Sequence, residues 1–432
     1  MQIDGTGRSS HPTDGNGTGL LSPGYSGRVP PTPSDPLEPG TAAYRRLLLG
    51  LFLAGLATFA QLYAPQALLP LVGRDLGVPP HQAALLVSAA TLGLALSVLP
   101  WSLAGDRWGR RTAVGCSVIL ASALSLTVWL VPALGGMIAL RVVEGAAHGG
   151  VAGLAVALLV EEITPRAVPQ AAGTYVAGVT LGGLLGRLVA LPLGEALGWR
   201  GGLLTVSALG LACAVGALLV TPAQRAFAPA SLSPRRLART VLQHLRSVEL
   251  VAVYLQATLL MGGFVALYNY LGFTLLAAPF SWPVWAVGLV FIAYLAGTFS
   301  SPLAGRLAAR RGRLPVLTGA TCLFVAGACL TLVPSSWAVV AGVVVATGGF
   351  FAAHAVASAW AGTTPTQGRA QSTSLYTLAY YIGSSVFGWV GGLVHVAAGW
   401  TGTVLMVIGL ALTALMIAAV ALRGGPRGRL AG

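Results

Sequence analysis

Apolar residues in this 432-residue chain come in long runs separated by short polar turns. A transmembrane helix needs about 20 mostly apolar residues. Twelve runs reach that length, at about 47–70, 83–103, 112–133, 136–160, 171–194, 201–220, 250–272, 284–304, 315–333, 337–360, 372–397 and 401–421. The longest spacer, 221–249, follows the sixth run and carries Arg225, Arg235, Arg236, Arg239 and Arg246. The pattern predicts an all-α membrane protein of twelve transmembrane helices. They would form two pseudo-symmetric six-helix bundles, 44–220 and 250–421, joined by a basic cytoplasmic linker over 221–249. Residues 1–43 are rich in Pro, Gly, Ser and Thr with no apolar period, and read as a disordered cytoplasmic tail. A second short cytoplasmic tail is expected over 422–432. The first segment lacks the apolar core and cleavage site of a signal peptide, so the first run is expected to be retained.

Composition agrees with this pattern. Hydrophobic residues make up 55% of the chain and charged residues 8%, whereas soluble domains carry about 25% charged residues. The net charge of +14 comes from arginine alone among the basic residues, and the arginines cluster between apolar runs instead of along one face. That distribution excludes a nucleic-acid surface. Placing the N-terminus inside leaves only Arg74 and Arg200 in outside turns, with Arg141 and Arg187 inside runs and every other arginine on the cytoplasmic side. Both termini and the spacer are therefore expected in the cytoplasm of a bacterium, with the chain in its inner membrane. Cys116, Cys213, Cys322 and Cys329 all lie in apolar runs and form no C-x-x-C pair, so neither a metal site nor a disulfide framework is indicated.

One turn organises the chain. Ser102 to Arg111 reads S-L-A-G-D-R-W-G-R-R and leaves room only for a tight hairpin between two runs. The stretch Gly305 to Arg313 repeats it in weaker form, with Ala309 where the first copy has Asp106. Trp199-Arg200-Gly201 is likewise echoed by Trp400-Thr401-Gly402. Two matched halves suit a transporter with its site near the midplane between them.

The Asp106-Arg107-Trp108-Gly109-Arg110-Arg111 hairpin resembles the loop between helices 2 and 3 of the major facilitator superfamily, and the likeness extends over roughly 45–421. Ser102 stands where that motif begins with Gly. Q-L-Y-A-P-Q from Gln61, V-E-E-I from Val160, G-G-L-L-G-R from Gly182, A-A-H-A-V-A-S-A-W from Ala352 and Y-Y-I-G-S-S from Tyr380 are similar to the YnfM-like branch of efflux permeases. The resemblance implies alternating access and export of small molecules against the proton gradient. It also implies that Asp106, Arg107, Gly109 and Arg110 form a gating loop that latches the cytoplasmic side in one state. Arg111 reads as a positive anchor only.

Ionisable residues inside spans are costly and usually functional. Arg141, Glu144 and His148 fall on one face of the fourth run. Glu144 and Arg187 sit about 12 Å and about 10 Å from the outer ends of consecutive runs, at about 1.5 Å per residue. A Glu144–Arg187 pair, or Glu144 shared by Arg141 and Arg187, is therefore expected. The cluster can be a structural ion pair, a substrate anchor favouring anions, or a proton switch. Arg141-V-V-E-Gly145 resembles the family's proton-linked motif, with Glu144 where Gln is commoner. Gly183 stands where the antiporter motif of the fifth helix has Pro, and the Gly178, Gly182, Gly186 series reads first as helix packing.

His148 and His354 occupy near-equivalent places in the two halves, and could relay protons or each bond a neighbouring carbonyl. Gln61, Tyr63 and Gln66 in the first run, Tyr268 and Asn269 in the seventh, and Tyr376, Tyr380 and Tyr381 in the eleventh complete the candidates. Gln61 and Asn269 stand out because an unpartnered amide deep in a span is costly. No nucleophile–base pair, metal spacing or phosphate loop points to an enzyme. The expected partners are a small organic substrate, protons and the lipid bilayer, with no nucleic acid; the chain is expected to be a monomer that needs no cofactor beyond the proton gradient. An uptake symporter of the same fold and a non-transporting membrane sensor are the alternatives.

Overall fold

The computed structural model describes residues 36–225 and 234–422, with no side-chain description for 234–237. It is almost entirely helical. The first half contains α1 (Ala42–Leu76), α2 (Pro80–Trp108), α3 (Arg110–Val128), α4 (Leu134–Glu162) and α5 (Val168–Val220). A short helix in the spacer, α6 (Pro234–Arg246), leads to the second half: α7 (Val248–Leu276), α8 (Val284–Leu289), a 3-10 turn (Val290–Tyr294), α9 (Leu295–Arg311), α10 (Arg313–Leu330), α11 (Ser336–Thr363) and α12 (Arg369–Ala421). Lipid offers backbone groups no partners, so a spanning chain of this composition satisfies them within helices.

Ten helical stretches among the described residues are long and apolar enough to cross a membrane, with α8, the 3-10 turn and α9 counted as one. Two of the ten, α5 and α12, have 53 residues each. At about 1.5 Å per residue, such a helix would run to about 80 Å, far beyond a hydrocarbon core of about 30 Å. Each is broken at a glycine of positive φ, Gly198 at 73° and Gly399 at 63°. Those glycines immediately precede Trp199 and Trp400, so the repeated W-x-G marks the same bend in both halves. Gly109 and Gly312, at φ 89° and 90°, turn the chain in the two matched hairpins in the same way.

Small residues set the helix pairing. A Cβ at Gly178, Gly182 or Gly186 of α5 would strike the carbonyl oxygens of Phe52, Leu56 and Ala60 on α1. The partners advance together four residues at a time, so α1 and the first arm of α5 run parallel with backbones in contact. Gly383 of α12 meets Thr258 of α7 in the corresponding place of the second half. Gly145 and Gly149 of α4 press likewise on Ala90 and Ser97 of α2.

The expected disorder through residue 43 does not hold from residue 36 onward; residues 1–35, and 423–432 of the other tail, lie outside the described residues. The Leu37 amide donates to Glu162 O at 2.7 Å, and its side chain is buried with Tyr44 and Ile163. The spacer also departs from a plain linker, because α6 seats His244 against Gln367 O at 3.2 Å. Its residues 226–233 lie outside the described residues.

The halves meet at the end of the molecule remote from the Asp106 hairpin. Among the described residues, three hydrogen bonds join them: Gln66 to Asn269, Arg187 to Tyr294 and Ser385 to the Ser88 carbonyl. Among the described residues, the hydrogen bonds of Arg110 and Arg111 in the hairpin all stay within the first half.

Gly182→Ala should force α1 and α5 apart and lower the thermal unfolding midpoint of the purified protein by several degrees. Gly173→Ala, on the same helix with nothing within 4 Å of the new Cβ, should leave it within a degree or raise it slightly.

Candidate functional site

The hairpin is tied by hydrogen bonds within one half. Arg110 donates to Asp106 at 3.3 Å, to the Ala157 carbonyl at 3.3 Å, and to Glu161. Arg111 does more than anchor: its guanidinium donates twice to the Thr221 carbonyl and its amide to Gln224 Oε1 at 3.2 Å. Gln224 returns to Glu161 at 3.0 Å, closing a loop between α3, α4 and the end of α5. Glu162 accepts the Arg225 amide through both oxygens. Arg107 and Trp108 are exposed, and Gly109 supplies the turn.

The first buried charge cluster lies in the core of the first half. Arg141, Glu144 and His148 have no solvent exposure. Arg141 donates to Glu144 Oε2 at 2.7 Å, and His148 Nε2 approaches Glu144 Oε1 at 3.4 Å. The other Arg141 donors reach backbone carbonyls, Leu86 at 2.7 Å and Leu62 at 2.8 Å, with Gln61 O at 3.5 Å. Pro65 explains why α1 offers one of these acceptors, the Gln61 carbonyl. Proline has no N–H to give and displaces the carbonyl four residues back, here that of Gln61. The Trp129 ring covers the same guanidinium at 5.5 Å.

Arg187 is not part of this cluster. The expected Glu144–Arg187 pair is absent, and Glu144 is held by Arg141 alone of the two. Depth along two consecutive helices does not decide whether they face each other. Here the glycine face of α5 lies on α1 and that of α4 on α2, so α1 stands between the two charges. Arg187 turns instead to α1 and the second half. Its Nε and Nη2 both donate to Gln66 Oε1, at 2.9 and 2.6 Å, and Nη2 reaches the Tyr294 hydroxyl at 3.2 Å. Nη1 bonds the Gly183 carbonyl at 2.6 Å. The rings of Tyr63, Tyr294 and Phe291 surround it at 4.7, 4.6 and 5.1 Å.

Gln66 is the pivot of the layer. While its oxygen holds Arg187, its Nε2 donates to Asn269 Oδ1 at 2.6 Å. Gln66 and Asn269 are separated by 203 residues, as are Asp106 and Ala309 (309 − 106), so the pair sits at matched positions of the two halves. Gln61 serves a different end: it bonds Ser122 at 3.0 Å and the Ser207 carbonyl at 3.4 Å, inside the first half.

An aromatic wall in the second half continues from Arg187. Tyr294 meets Phe264 at 5.5 Å, Phe264 stacks on Phe350 at 3.9 Å, and Phe350 meets His354 at 6.0 Å and Tyr380 at 6.5 Å. His354 shares a 2.9 Å hydrogen bond with the Tyr376 hydroxyl, and both His354 and Tyr380 are partly exposed. His148 and His354 are not brought together, since each has its own neighbours in its own half. Sequence reasoning singled out Gln66 only as one polar candidate among several. It passed over Glu161, Gln224, Phe291 and Tyr294. The two acids were visible in V-E-E-I, but Tyr294 lies in an apolar run where an aromatic residue reads as packing.

Arg141→Met leaves Glu144 as an uncompensated buried charge and should destabilise the protein by about 3–5 kcal/mol. Arg141→Met with Glu144→Gln removes both charges and should recover most of that loss, as measured by unfolding of the purified variants.

Comparison with known proteins fits this architecture. The family model described as Major Facilitator Superfamily matches residues 47–300 and 270–431. The uncharacterized MFS-type transporter YybF of Bacillus subtilis is 35% identical over 381 residues, which is 88% of this chain and 94% of that protein. The inner membrane transport protein YnfM of Escherichia coli is 35% identical over 385 residues, 89% and 92% of the two chains. Among solved structures, an inward-facing, occupied bacterial homologue of the human lysosomal transporter Spinster superposes with a TM-score of 0.71 at 16% identity, covering 89% of this chain and 98% of that one. The nucleoside transporter NupG gives 0.69 at 16% identity, covering 87% and 99%. With a family model over nearly all of its helices and relatives at 35% identity along most of its length, the chain belongs to the major facilitator superfamily.

Proposed function

We propose that this protein is a secondary active transporter of the bacterial inner membrane that exports a small organic molecule in exchange for protons. It works as a monomer with both termini and the spacer in the cytoplasm. Each arm of α5 and α12 is taken as one crossing, giving twelve. The hairpin end is then cytoplasmic, and the halves are closed against each other on the outer side.

The observation that carries the proton reading is the Glu144 site. One carboxylate oxygen is committed to Arg141, while Oε1 and both ring nitrogens of His148 have no hydrogen-bond partner among the described residues. A proton taken up between Glu144 and His148 weakens the hold of Glu144 on Arg141, which itself stays charged. Arg141 then depends more on the carbonyls of α1 and α2. These two helices carry Gln66 and Ser88 to the seam between the halves, so protonation in the core acts on the cross-half contacts through α1 and α2.

Inverted membrane vesicles acidified by respiration test this. Carboxylates, amines, sugars and neutral aromatics are added in turn while a pH-sensitive dye reports the lumen. Antiport predicts a rise in lumenal pH on addition of a substrate, and Glu144→Gln should abolish it while leaving protein level unchanged. Absence of a response to every class, or a response that survives Glu144→Gln, contradicts the proposal. Uptake by symport would give no such alkalinisation.

A further inference from the structure

We infer that Arg187 docks a carboxylate of the transported molecule, and that the carboxylate takes the place of Gln66 and Tyr294 on the guanidinium. This rests on the transporter reading above and names the substrate class of that site.

The first argument is charge. Arg187 is 1% exposed, and no carboxylate lies within 4.0 Å of it among the described residues. The acid in the same core, Glu144, is already spent on Arg141. Arg187 is answered only by neutral oxygens and by ring faces. A full cation held this way in a membrane protein favours one added negative charge and rejects a cationic ligand.

The second argument is geometry. A carboxylate grips a guanidinium best through two parallel N–H donors. The Nε and Nη2 donors form such a fork, and a single amide oxygen, Gln66 Oε1, now occupies both. The Tyr294 hydroxyl shares Nη2. Two-oxygen recognition would satisfy the fork better than one neutral oxygen does.

The third argument is shape and coupling. The walls beside the fork are Tyr63, Phe291 and Tyr294, and they lead through Phe264 and Phe350 to the partly exposed His354 and Tyr380. That lining suits an aromatic or apolar body behind the acid. The contacts a carboxylate would displace belong to the seam between the halves: Arg187 to Tyr294 directly, and Arg187 to Gln66, which in turn holds Asn269. A ligand shifts a conformational equilibrium only by binding one state better. An anion that takes Arg187 away from the seam does so, and favours separation of the halves on that side.

The test is equilibrium binding to the purified full-length protein, with benzoate and indole-3-acetate as probes and benzamide and indole-3-acetamide as neutral counterparts. The acids should bind at least tenfold more tightly than the amides, and Arg187→Gln should erase the difference. Tyr294→Phe keeps the ring and the cation but removes the competing hydroxyl, so it should tighten the acids several-fold and leave the amides unchanged. This second variant keeps the test open if Arg187→Gln fails to fold. Equal binding of acid and amide, no binding of either acid, or weaker acid binding in Tyr294→Phe overturns the inference. If the vesicles show no proton exchange yet the acids still bind through Arg187, the transport reading fails and the docking site stands; the opposite pair of results sinks the docking site alone.

Discussion

A guanidinium buried in a membrane bundle must have its charge and its five donors answered, and the two buried arginines among the described residues are answered differently. Arg141 has a carboxylate from its own helix and carbonyls from α1 and α2. All of its partners belong to one half, so it holds that half together whatever the other half does. Arg187 has neutral acceptors, and its hold reaches across to Tyr294 and Asn269. The core of one half and the seam between the halves are thus built from the same residue type with different partners.

Helix α1 links the two. Pro65 frees the Gln61 carbonyl that Arg141 reaches, and one residue later Gln66 takes hold of Arg187 and Asn269. The glycines of α5 lock the same helix along its length. A change of charge at Glu144 therefore has a short covalent and packed route to the seam. Among the described residues, the second half has no counterpart to the charged cluster. Tyr268 and Thr347 share a 2.7 Å hydrogen bond there, and aromatic rings fill the space. One half carries the charge and the other the apolar wall, so a substrate between them would meet both.

Much of this was legible in the chain. Run lengths gave the helices because the bilayer fixes how many apolar residues a crossing needs. The W-x-G echo and the paired hairpins were readable as repeats, but the bends at Gly198 and Gly399 just before each Trp were not. The spacing of Gly178, Gly182 and Gly186 announced a close backbone contact, though not that α1 was the partner. Partner choice was the part that failed. The depths of Glu144 and Arg187 matched, yet depth says nothing about the direction a side chain leaves its helix. Tyr294 was hidden for another reason: it sits on a 3-10 turn within an apolar run, and no proline or polar residue there marks the change of pitch.

The central claim is that the layer of Gln66, Asn269, Arg187 and Tyr294 holds one end of the molecule shut in one of two states. Spin labels at Arg74→Cys and Ala277→Cys, both exposed beyond that layer, in a background with the four native cysteines replaced, measure it directly in reconstituted membranes. The account predicts a short distance in the parent protein and a second, longer population that grows when Asn269→Ala removes the Gln66 contact. A single short distance that Asn269→Ala leaves untouched would contradict it.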